Sequence, residues 1–208
     1  MLKTKGVTFS YEEDSLISFP DLELRTGENL LILGESGVGK TTLIQIIAGL
    51  LKPKTGLVEL NGTNYHKLTQ KKLDQFRGKH IGVVFQKPHF VRNISILENI
   101  MLSLYLSKNN QEPKEISRLL SQLGLKNKAN SLADQLSQGE QQRAAIALAA
   151  AKKPDIILAD EPTSSLDNSN CSKTINLLKK QALSNKSQLI IITHDQRLKD
   201  EFKNQITL

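Results

Sequence analysis

The sequence predicts an α/β protein with a mostly parallel sheet and helices on both of its sides. Apolar runs typical of strands lie at residues 7–9, 29–33, 81–85, 155–159 and 188–193. Their mostly continuous apolar character indicates strands that are buried on both faces. Helical patterns lie between these runs, at residues 41–51, 138–152 and 169–181. Alternation of strand and helix along a chain is the pattern that predicts this architecture.

The segment from about residue 95 to residue 132 has a different character. Residues 96–106 and 115–123 have the pattern of amphipathic helices, Gly124 is a plausible helix stop, and no strong strand pattern intervenes. We therefore expect one domain over residues 1–208. Residues 1–86 and 133–208 would form its α/β core, and residues 87–132 an all-helical lobe inserted between two strands.

Composition excludes several classes of protein. The chain has 208 residues, of which 38% are hydrophobic and 24% charged, as expected for a globular domain. No apolar run approaches the roughly 20 residues that a bilayer crossing needs, and the first residues lack the apolar core of a signal peptide. The single cysteine, Cys171, excludes an internal disulfide and suits a reducing compartment. These observations predict a cytoplasmic location.

The net charge of +7 and the pI near 9.4 are compatible with binding to nucleic acid or to a membrane surface. The lysines are scattered in pairs, however, and aromatic residues make up only 4% of the chain. We interpret the charge as a solvated surface, with mild attraction to an anionic membrane face as the alternative. We expect no nucleic-acid partner.

A glycine-rich turn after the run at 29–33 matches the P-loop pattern in full. Its residues are Gly34, Glu35, Ser36, Gly37, Val38, Gly39, Lys40 and Thr41. A strand before the motif and a helix after it form the context that the motif requires. Its glycines would let backbone N–H groups point at phosphate oxygens, at a helix N-terminus that favours anions. Lys40 would lie between the β- and γ-phosphates and Thr41 would bind Mg²⁺, with Thr42 beside them. The motif therefore predicts ATP and Mg²⁺ as ligands.

Two adjacent acids, Asp160 and Glu161, follow the apolar run at residues 156–159. Carboxylates at the carboxyl end of a strand project into the crevice where α/β sheets bind ligands. Asp160 would hold Mg²⁺, and Glu161 would accept a proton from water that attacks the γ-phosphate. A solvated turn is the alternative for two adjacent acids, but the P-loop favours the functional interpretation.

With these motifs in family order, the sequence resembles the ABC ATPases over nearly its whole length. The most diagnostic motif is Leu-Ser-Gln-Gly-Glu-Gln-Gln-Arg at residues 136–143, which is similar to the ABC signature. Taken alone, it is a good helix N-terminal cap. The resemblance implies that Ser137, Gly139 and Glu140 contact nucleotide bound on a second ATPase subunit, so that the working unit is a dimer, most simply a homodimer.

The resemblance also assigns single residues after other strands. Gln86 is similar to the Q-loop glutamine, which would contact Mg²⁺ or the attacking water, and His194 to the switch histidine that bonds the γ-phosphate. Tyr11 matches the aromatic that stacks on adenine, and Ser165-Leu166-Asp167 matches the D-loop at the dimer interface. The resemblance therefore implies four catalytic residues: Lys40, Gln86, Glu161 and His194.

The implied fold is a P-loop NTPase of the ABC type, with an N-terminal antiparallel β region added to the parallel sheet and the helical lobe. The implied partner is a separate transmembrane permease, so the chain would lie at the inner face of the membrane. Residues 87–91 and the helical lobe would receive a coupling helix, because Phe90 and Val91 would otherwise be exposed apolar residues.

The wording of the motifs is most similar to the group of lipoprotein-releasing, macrolide-exporting and cell-division ABC ATPases. Gln138 replaces a usual glycine, and Leu148 stands where an arginine is common. The motifs leave open a non-transporting regulator of the cell-division type and, less favoured, a soluble ABC ATPase acting on nucleic acid or ribosomes. A co-purifying permease would favour the first group, and stimulation by DNA or ribosomes the last.

Overall fold

The computed structural model describes residues 1–11, 15–164 and 166–208, without the side chains of residues 168 and 169. The strands are β1 Leu2–Ser10, β2 Leu16–Ser18, β3 Leu22–Leu24, β4 Asn29–Leu33, β5 Thr55–Leu60, β6 Thr63–Asn64, β7 Ile81–Val84, β8 Ile156–Asp160, β9 Gln188–Thr193 and β10 Gln205–Thr207. The helices are α1 Lys40–Ile47, α2 Gln70–His80, α3 Ile96–Leu106, α4 Pro113–Gln122, α5 Gln138–Ala150 and α6 Asn168–Asn185, with short 3₁₀ turns elsewhere.

A parallel sheet in the order β10-β4-β9-β8-β7 forms the centre of the fold. Successive side chains of a strand point to opposite faces of a sheet. On β9, Leu189 and Ile191 join one hydrophobic cluster, whereas Ile190 and Ile192 join another on the opposite face. All four side chains are fully buried. Burial on both faces explains why this strand is continuously apolar rather than alternating.

The two faces of the parallel sheet are covered differently. One cluster contains Leu43 and Ile47 of α1 together with Leu2 and Val58 from the N-terminal β region. The other cluster includes Ile100 of α3, Leu120 of α4, Ala147 of α5 and Leu178 of α6. The parallel sheet is therefore the shared wall of two apolar layers.

The N-terminal β region is an antiparallel sheet that is built around β1. Its first residues pair with β3 and its last residues pair with β2, while β5 pairs along the opposite edge and β6 pairs with β5. The β1–β5 pairing shifts register between Lys5 and Thr8. Because β1 ends at Ser10, the next residue, Tyr11, leaves the sheet beside α1.

Helices α3 and α4 occupy the predicted helical segment. Ser95 caps α3 in a capping box: its backbone N–H donates to Glu98 Oε2 at 2.7 Å, and its hydroxyl accepts from the Glu98 N–H at 3.2 Å. Pro113 starts α4, where a proline is tolerated. An isolated bridge between Ser95 and Leu132 joins the two ends of the segment. The limits of the inserted lobe, about residues 87–132, stay a prediction.

The predicted fold class is confirmed, including the antiparallel β region and the parallel sheet. The bounds of β4, β9 and α3 agree with the sequence pattern. Helix α1 ends earlier than predicted, because the N–H groups of Leu50 and Leu51 both turn back to the Gln45 carbonyl oxygen. Helix α2 and strand β5 were absent from the expected elements.

We expect Leu178→Ala to lower the free energy of unfolding by about 2–5 kcal/mol, because it opens a cavity in the core. The matched control is Leu183→Ala on the same helix, where the side chain is 76% exposed and the change should stay within about 0.5 kcal/mol. Urea unfolding of both variants measures the difference. Equal losses would contradict the assignment of the two faces of α6.

Candidate functional site

The P-loop connects the end of β4 to the start of α1. Gly37 and Gly39 have φ angles of 90° and 99°, a left-handed conformation that side chains with a Cβ rarely adopt. Gly39 is the N-cap of α1, so Lys40 is the first residue of the helix. Glu35, Ser36 and Val38 are exposed, which leaves the outer surface of the loop open to solvent.

The side chain of Lys40 is folded back into this loop. Its Nζ donates to the carbonyl oxygens of Gly34 at 2.9 Å and Glu35 at 2.8 Å. The residue is 7% exposed, and Nζ lies 3.8 Å from Glu161 Oε1. The loop thus holds an ammonium group between its own carbonyl oxygens and a buried carboxylate.

Asp160, the last residue of β8, lies beside the start of α1. The Thr41 hydroxyl donates to Asp160 Oδ1 at 3.4 Å. Burial raises the pKa of Asp160, and the neighbouring Glu161 carboxylate adds to the rise, whereas the Thr41 hydrogen bond and the Lys40 charge oppose it. A buried carboxylate and a hydroxyl are oxygen ligands of the kind that Mg²⁺ prefers.

Glu161 follows directly and is held in an uncommon backbone conformation. Its φ is 47°, and its N–H donates to the Ile192 carbonyl oxygen at 2.9 Å. A left-handed non-glycine residue costs energy and persists where its surroundings fix it. The carboxylate is 8% exposed; Oε2 accepts from Thr193 Oγ1 at 2.8 Å, and Oε1 accepts from the His194 N–H at 3.0 Å.

His194 follows β9 and faces the same carboxylate. Its Nδ1 lies 2.8 Å from Glu161 Oε1, and its side chain is 54% exposed. Since an ionised carboxylate can only accept, Nδ1 carries a proton and donates it to Glu161 Oε1. The parallel register pairs Asp160 of β8 with Ile192 of β9, which sets these residues at one edge of the sheet. The structure thus brings together Lys40, Thr41, Asp160, Glu161 and His194.

Tyr11 lies next to the P-loop helix. Its hydroxyl is 2.9 Å from Thr42 Oγ1, and its ring meets the edge of Phe9 at 4.8 Å between centroids. The residue is 64% exposed, so a face of the ring is accessible to a ligand. Gln86 is exposed two residues after β7, whose last residue pairs with Ala159. Among the described residues, no hydrogen bond or ion pair joins Gln86 to the buried cluster.

The signature residues form the N-terminus of α5 and are separate from this cluster. The Ser137 N–H donates to Glu140 Oε2 at 2.8 Å, and the Ser137 hydroxyl does so at 2.9 Å. These two donors lower the pKa of Glu140. Gly139, in the first turn, is half-buried. Within the part of the chain that the structure describes, no hydrogen bond or ion pair of Ser137 or Glu140 reaches the P-loop.

Ser165, in the predicted D-loop, lies outside the described residues. Of its neighbours, Leu166 is half-buried, and Asp167 is the N-cap of α6, where its side chain accepts from the Asn170 N–H at 2.9 Å. Sequence reasoning assigned no role to Thr193, although the structure bonds it directly to Glu161. Apart from its place next to His194, nothing in the sequence distinguishes it from an ordinary buried threonine at the end of a strand.

A groove between α2, α3 and α5 has a cavity volume of about 470 Å³. We call it the α2–α3 groove; its lining includes Gly78, Val91, Leu102, Leu106, Leu148 and Lys152. Val91 is 53% exposed and Leu106 is 70% exposed. Burial lowers the pKa of Lys152 to about 8, and the nearby Arg77 charge adds to the shift. The groove thus combines exposed apolar side chains with polar and charged ones, among them Lys152.

Across the described residues, no helix has both the length and the apolar character to span a membrane. The same residues contain no group of three or more His, Cys, Asp or Glu side chains placed to hold a metal ion. A cation at Asp160 and Thr41 would therefore need further ligands from outside these side chains, such as phosphate oxygens and water.

A family model described as ABC transporter matches residues 19–164 of the chain. The chain is 36% identical over 200 residues to the lipoprotein-releasing system ATP-binding protein LolD of Bacteroides fragilis, covering 95% of this chain and 93% of that protein. It is 37% identical over 192 residues to the protein of the same name from Legionella pneumophila, covering 90% and 84%.

Solved structures match as well. A dimeric, post-hydrolysis ATP-binding cassette, MJ0796 bound to ADP and Pi, is 34% identical with a TM-score of 0.89, covering 100% of this chain and 94% of that one. The protein cbiO1 of Clostridium perfringens, part of the ABC transporter complex cbiONQ, is 28% identical with a TM-score of 0.81, covering 93% and 78%.

We expect Asp160→Asn to stabilise the nucleotide-free chain by roughly 0.5–2 kcal/mol at neutral pH. The pKa of Asp160 is raised in the folded chain, so the folded chain holds this proton more tightly than the unfolded chain does. Stability therefore falls as pH rises through that pKa, and asparagine removes the loss.

Urea unfolding at neutral and acidic pH measures this effect. The advantage of the asparagine variant should shrink at acidic pH, where the aspartate is itself protonated. The exposed Asp200→Asn serves as the control and should change little at either pH. A less stable Asp160→Asn chain at neutral pH would contradict the stated cause of the pKa shift.

Proposed function

We propose that this chain, which belongs to the ABC transporter family, clasps ATP between two copies of itself and drives a separate membrane permease. As a member of this family it is the ATP-binding, ATP-hydrolysing subunit of a transporter. The observation that carries the proposed mechanism is the buried cluster of Lys40, Asp160 and Glu161 beside the P-loop. The similarity to LolD proteins supports a system of the lipoprotein-release type.

Nucleotide binding would use the loop as it stands. The Lys40 ammonium, held by two carbonyl oxygens, would exchange them for oxygens of the β- and γ-phosphates, which are stronger acceptors for a cation. Backbone N–H groups of residues 34–42 and the N-terminus of α1 would add partial positive charge. The exposed Tyr11 ring, beside Thr42, would stack on adenine.

Mg²⁺ would be held by the Thr41 hydroxyl, the Asp160 carboxylate and Gln86, and would neutralise charge on the phosphates. The raised pKa of Asp160 suits this role, because an anion buried at some cost gains from a cation beside it. The Thr41–Asp160 contact supports two of these three ligands. Support for Gln86 is limited to its place after β7.

Hydrolysis would depend on Glu161 and His194. Water would attack the γ-phosphorus in line, the bond to the oxygen that bridges to the β-phosphate would break, and Glu161 would accept a proton from the water. His194 would meet the γ-phosphate with its exposed ring. The backbone of Glu161, held by the Ile192 carbonyl oxygen, supports a fixed position for the base.

Ser137, Gly139 and Glu140 would act on nucleotide in the other copy. Ser137 and Glu140 bond each other in a capping box, so α5 presents a well-formed helix N-terminus whose described hydrogen bonds do not involve the P-loop. Such a terminus favours a phosphate group. The dimeric state of the cassette MJ0796 supports a two-copy arrangement, most simply a homodimer.

The permease would dock on the α2–α3 groove, at the cytoplasmic face of the membrane. Val91 and Leu106 supply exposed apolar surface for a coupling helix, and Lys152 supplies a charge for a carboxylate. Phe90 is half-buried against the core, which corrects the expectation that it is exposed; Val91 is exposed as expected. The relatives' names favour a transporter over a cell-division regulator or a ribosome-bound ATPase.

We expect Glu161→Gln to lower kcat for ATP by at least about 100-fold while ATP affinity changes little, because the amide cannot take the proton. The variant should also form ATP-dependent dimers in size-exclusion chromatography with light scattering. Glu115→Gln, at a surface ion pair with Lys153, is the matched control. Normal turnover in Glu161→Gln would remove Glu161 from the proposed role.

Adding Gly139→Glu to the Glu161→Gln variant tests whether the signature motif acts on nucleotide that is bound by the partner copy. The new carboxylate would repel a γ-phosphate bound on the partner copy, so the double variant should stay monomeric with ATP. A chain alone should still bind a fluorescent ATP analogue, since Gly139 is not part of its own P-loop. Gly139→Ala should fold normally, because its Cβ would meet nothing closer than 3.5 Å. Loss of nucleotide binding by the monomeric double variant would contradict action in trans.

We expect Leu106→Arg to abolish most co-purification with the permease from detergent extracts, because a charge is placed on the apolar wall of the groove. ATPase activity of the isolated chain should stay within about twofold of wild type, since Leu106 is an exposed residue at the end of α3 and is not part of the buried cluster. Leu183→Arg, at a similarly exposed leucine on α6, is the control. Equal recovery with both variants would exclude the groove as the docking surface.

A further inference from the structure

We propose that Thr193 is a positioning residue that decides which oxygen of Glu161 receives the proton in ATP hydrolysis. The inference rests on the proposed role of Glu161 as the base. It assigns Oε2 as the anchored oxygen and Oε1 as the oxygen that accepts the proton from the attacking water.

The direction of the Thr193 hydrogen bond is fixed by its second partner. Thr193 ends β9 and is fully buried. Its Oγ1 lies 2.8 Å from Glu161 Oε2 and accepts the backbone N–H of Asp195 at 3.0 Å. A hydroxyl has one proton, and an ionised carboxylate can only accept. The single Thr193 proton therefore points at Glu161 Oε2.

The two carboxylate oxygens consequently lie in different surroundings. Oε2 accepts from the buried Thr193 hydroxyl, whereas Oε1 accepts from the His194 N–H at 3.0 Å and lies 2.8 Å from His194 Nδ1 and 3.8 Å from Lys40 Nζ. Lys40 marks the side on which the terminal phosphates would bind. The exposed His194 ring has room to turn and Thr193 is fully buried, so Oε1 can exchange its ring partner for water while it keeps its backbone donor.

Residues behind Thr193 keep it in place. Asp195, whose N–H bonds the Thr193 hydroxyl, accepts from Thr163 Oγ1 at 3.2 Å and from Arg197 Nη2 at 2.7 Å. A charge-assisted pair of this kind is stronger and more directional than a neutral hydrogen bond. The result is a chain of contacts from Arg197 through Asp195 and Thr193 to the carboxylate of Glu161.

In the proposed step Thr193 keeps its own proton throughout. Water forms a bond to the γ-phosphorus, the bond to the bridging oxygen breaks, and ADP leaves with that electron pair. The proton of the water passes to Glu161 Oε1. With Oε2 anchored, the carboxylate does not have to be oriented anew in each cycle, which is where the rate advantage arises.

The test compares Thr193→Val, which keeps the shape but has no hydroxyl, with Thr193→Ser, which keeps the hydroxyl. For the valine variant we expect kcat to fall by about 10- to 100-fold with KM for ATP within about twofold. The serine variant should keep most of the wild-type kcat, because it keeps the hydroxyl that donates to Glu161 Oε2.

Two further measurements separate positioning from folding. Thr174→Val, at another buried threonine, should leave kcat and KM unchanged. In a Glu161→Gln background, Thr193→Val should produce almost no additional loss of single-turnover rate, because both changes act through one carboxylate. If the valine variant does not fold, Thr193→Cys replaces it. Because an S–H group is a weaker donor than a hydroxyl, the kcat of the cysteine variant should be lower than that of the serine variant but higher than expected for a side chain without a donor.

A valine variant with the wild-type kcat would overturn the proposal, as would additive losses in the Glu161→Gln background. A serine variant as slow as the valine variant, or a cysteine variant faster than the serine variant, would also overturn it. These outcomes are distinct from failure of the proposed function. That failure would appear as absent ATPase activity in the unmodified chain, or as normal turnover in Glu161→Gln with threonine still at position 193.

Discussion

Burial of the Glu161 carboxylate beside the P-loop is the constraint on which the arrangement of this chain depends. A buried anion is expensive unless hydrogen bonds and an opposite charge compensate it. Here the compensation comes from the ends of two other strands: Lys40 in the loop after β4, and Thr193 with His194 at the end of β9. These groups meet Glu161 only if β4, β9 and β8 lie side by side in parallel, so the order of the sheet and the position of the proposed base are one requirement.

The elements that sequence reasoning predicted are those whose pattern is dictated by burial on the parallel sheet. Strands β4 and β9 are continuously apolar because both of their faces are covered, and α3 begins with a capping box that is visible in the sequence. Helix α2 was missed because none of its residues is fully buried, so it has no apolar period to detect. Strand β5 begins with two exposed residues and shows only a short alternation near its end.

The candidate site likewise contains residues that could be predicted from the sequence and residues that could not. Motif residues such as Lys40, Asp160 and Glu161 could be predicted because their chemistry requires those residue types next to strand ends. Thr193 could not be predicted, because its importance lies in one hydrogen bond across two strands, and a buried threonine in a strand is otherwise ordinary. The left-handed backbone of Glu161 is equally invisible in the sequence, since glutamate rarely adopts it without support from a neighbouring strand.

Helix α5 connects the signature motif to the proposed docking groove. Ser137 caps its N-terminus, where it would meet nucleotide on the partner copy, and Leu148 near its C-terminus lines the α2–α3 groove. The helix runs from Gln138 to Ala150 and therefore spans roughly 20 Å. Ala144 and Ala147 are buried in the core, and such close packing favours movement as a rigid element over bending. Under the proposed docking, a displacement in the groove would reach the signature end, and the permease and the nucleotide would then bias the same two-state element.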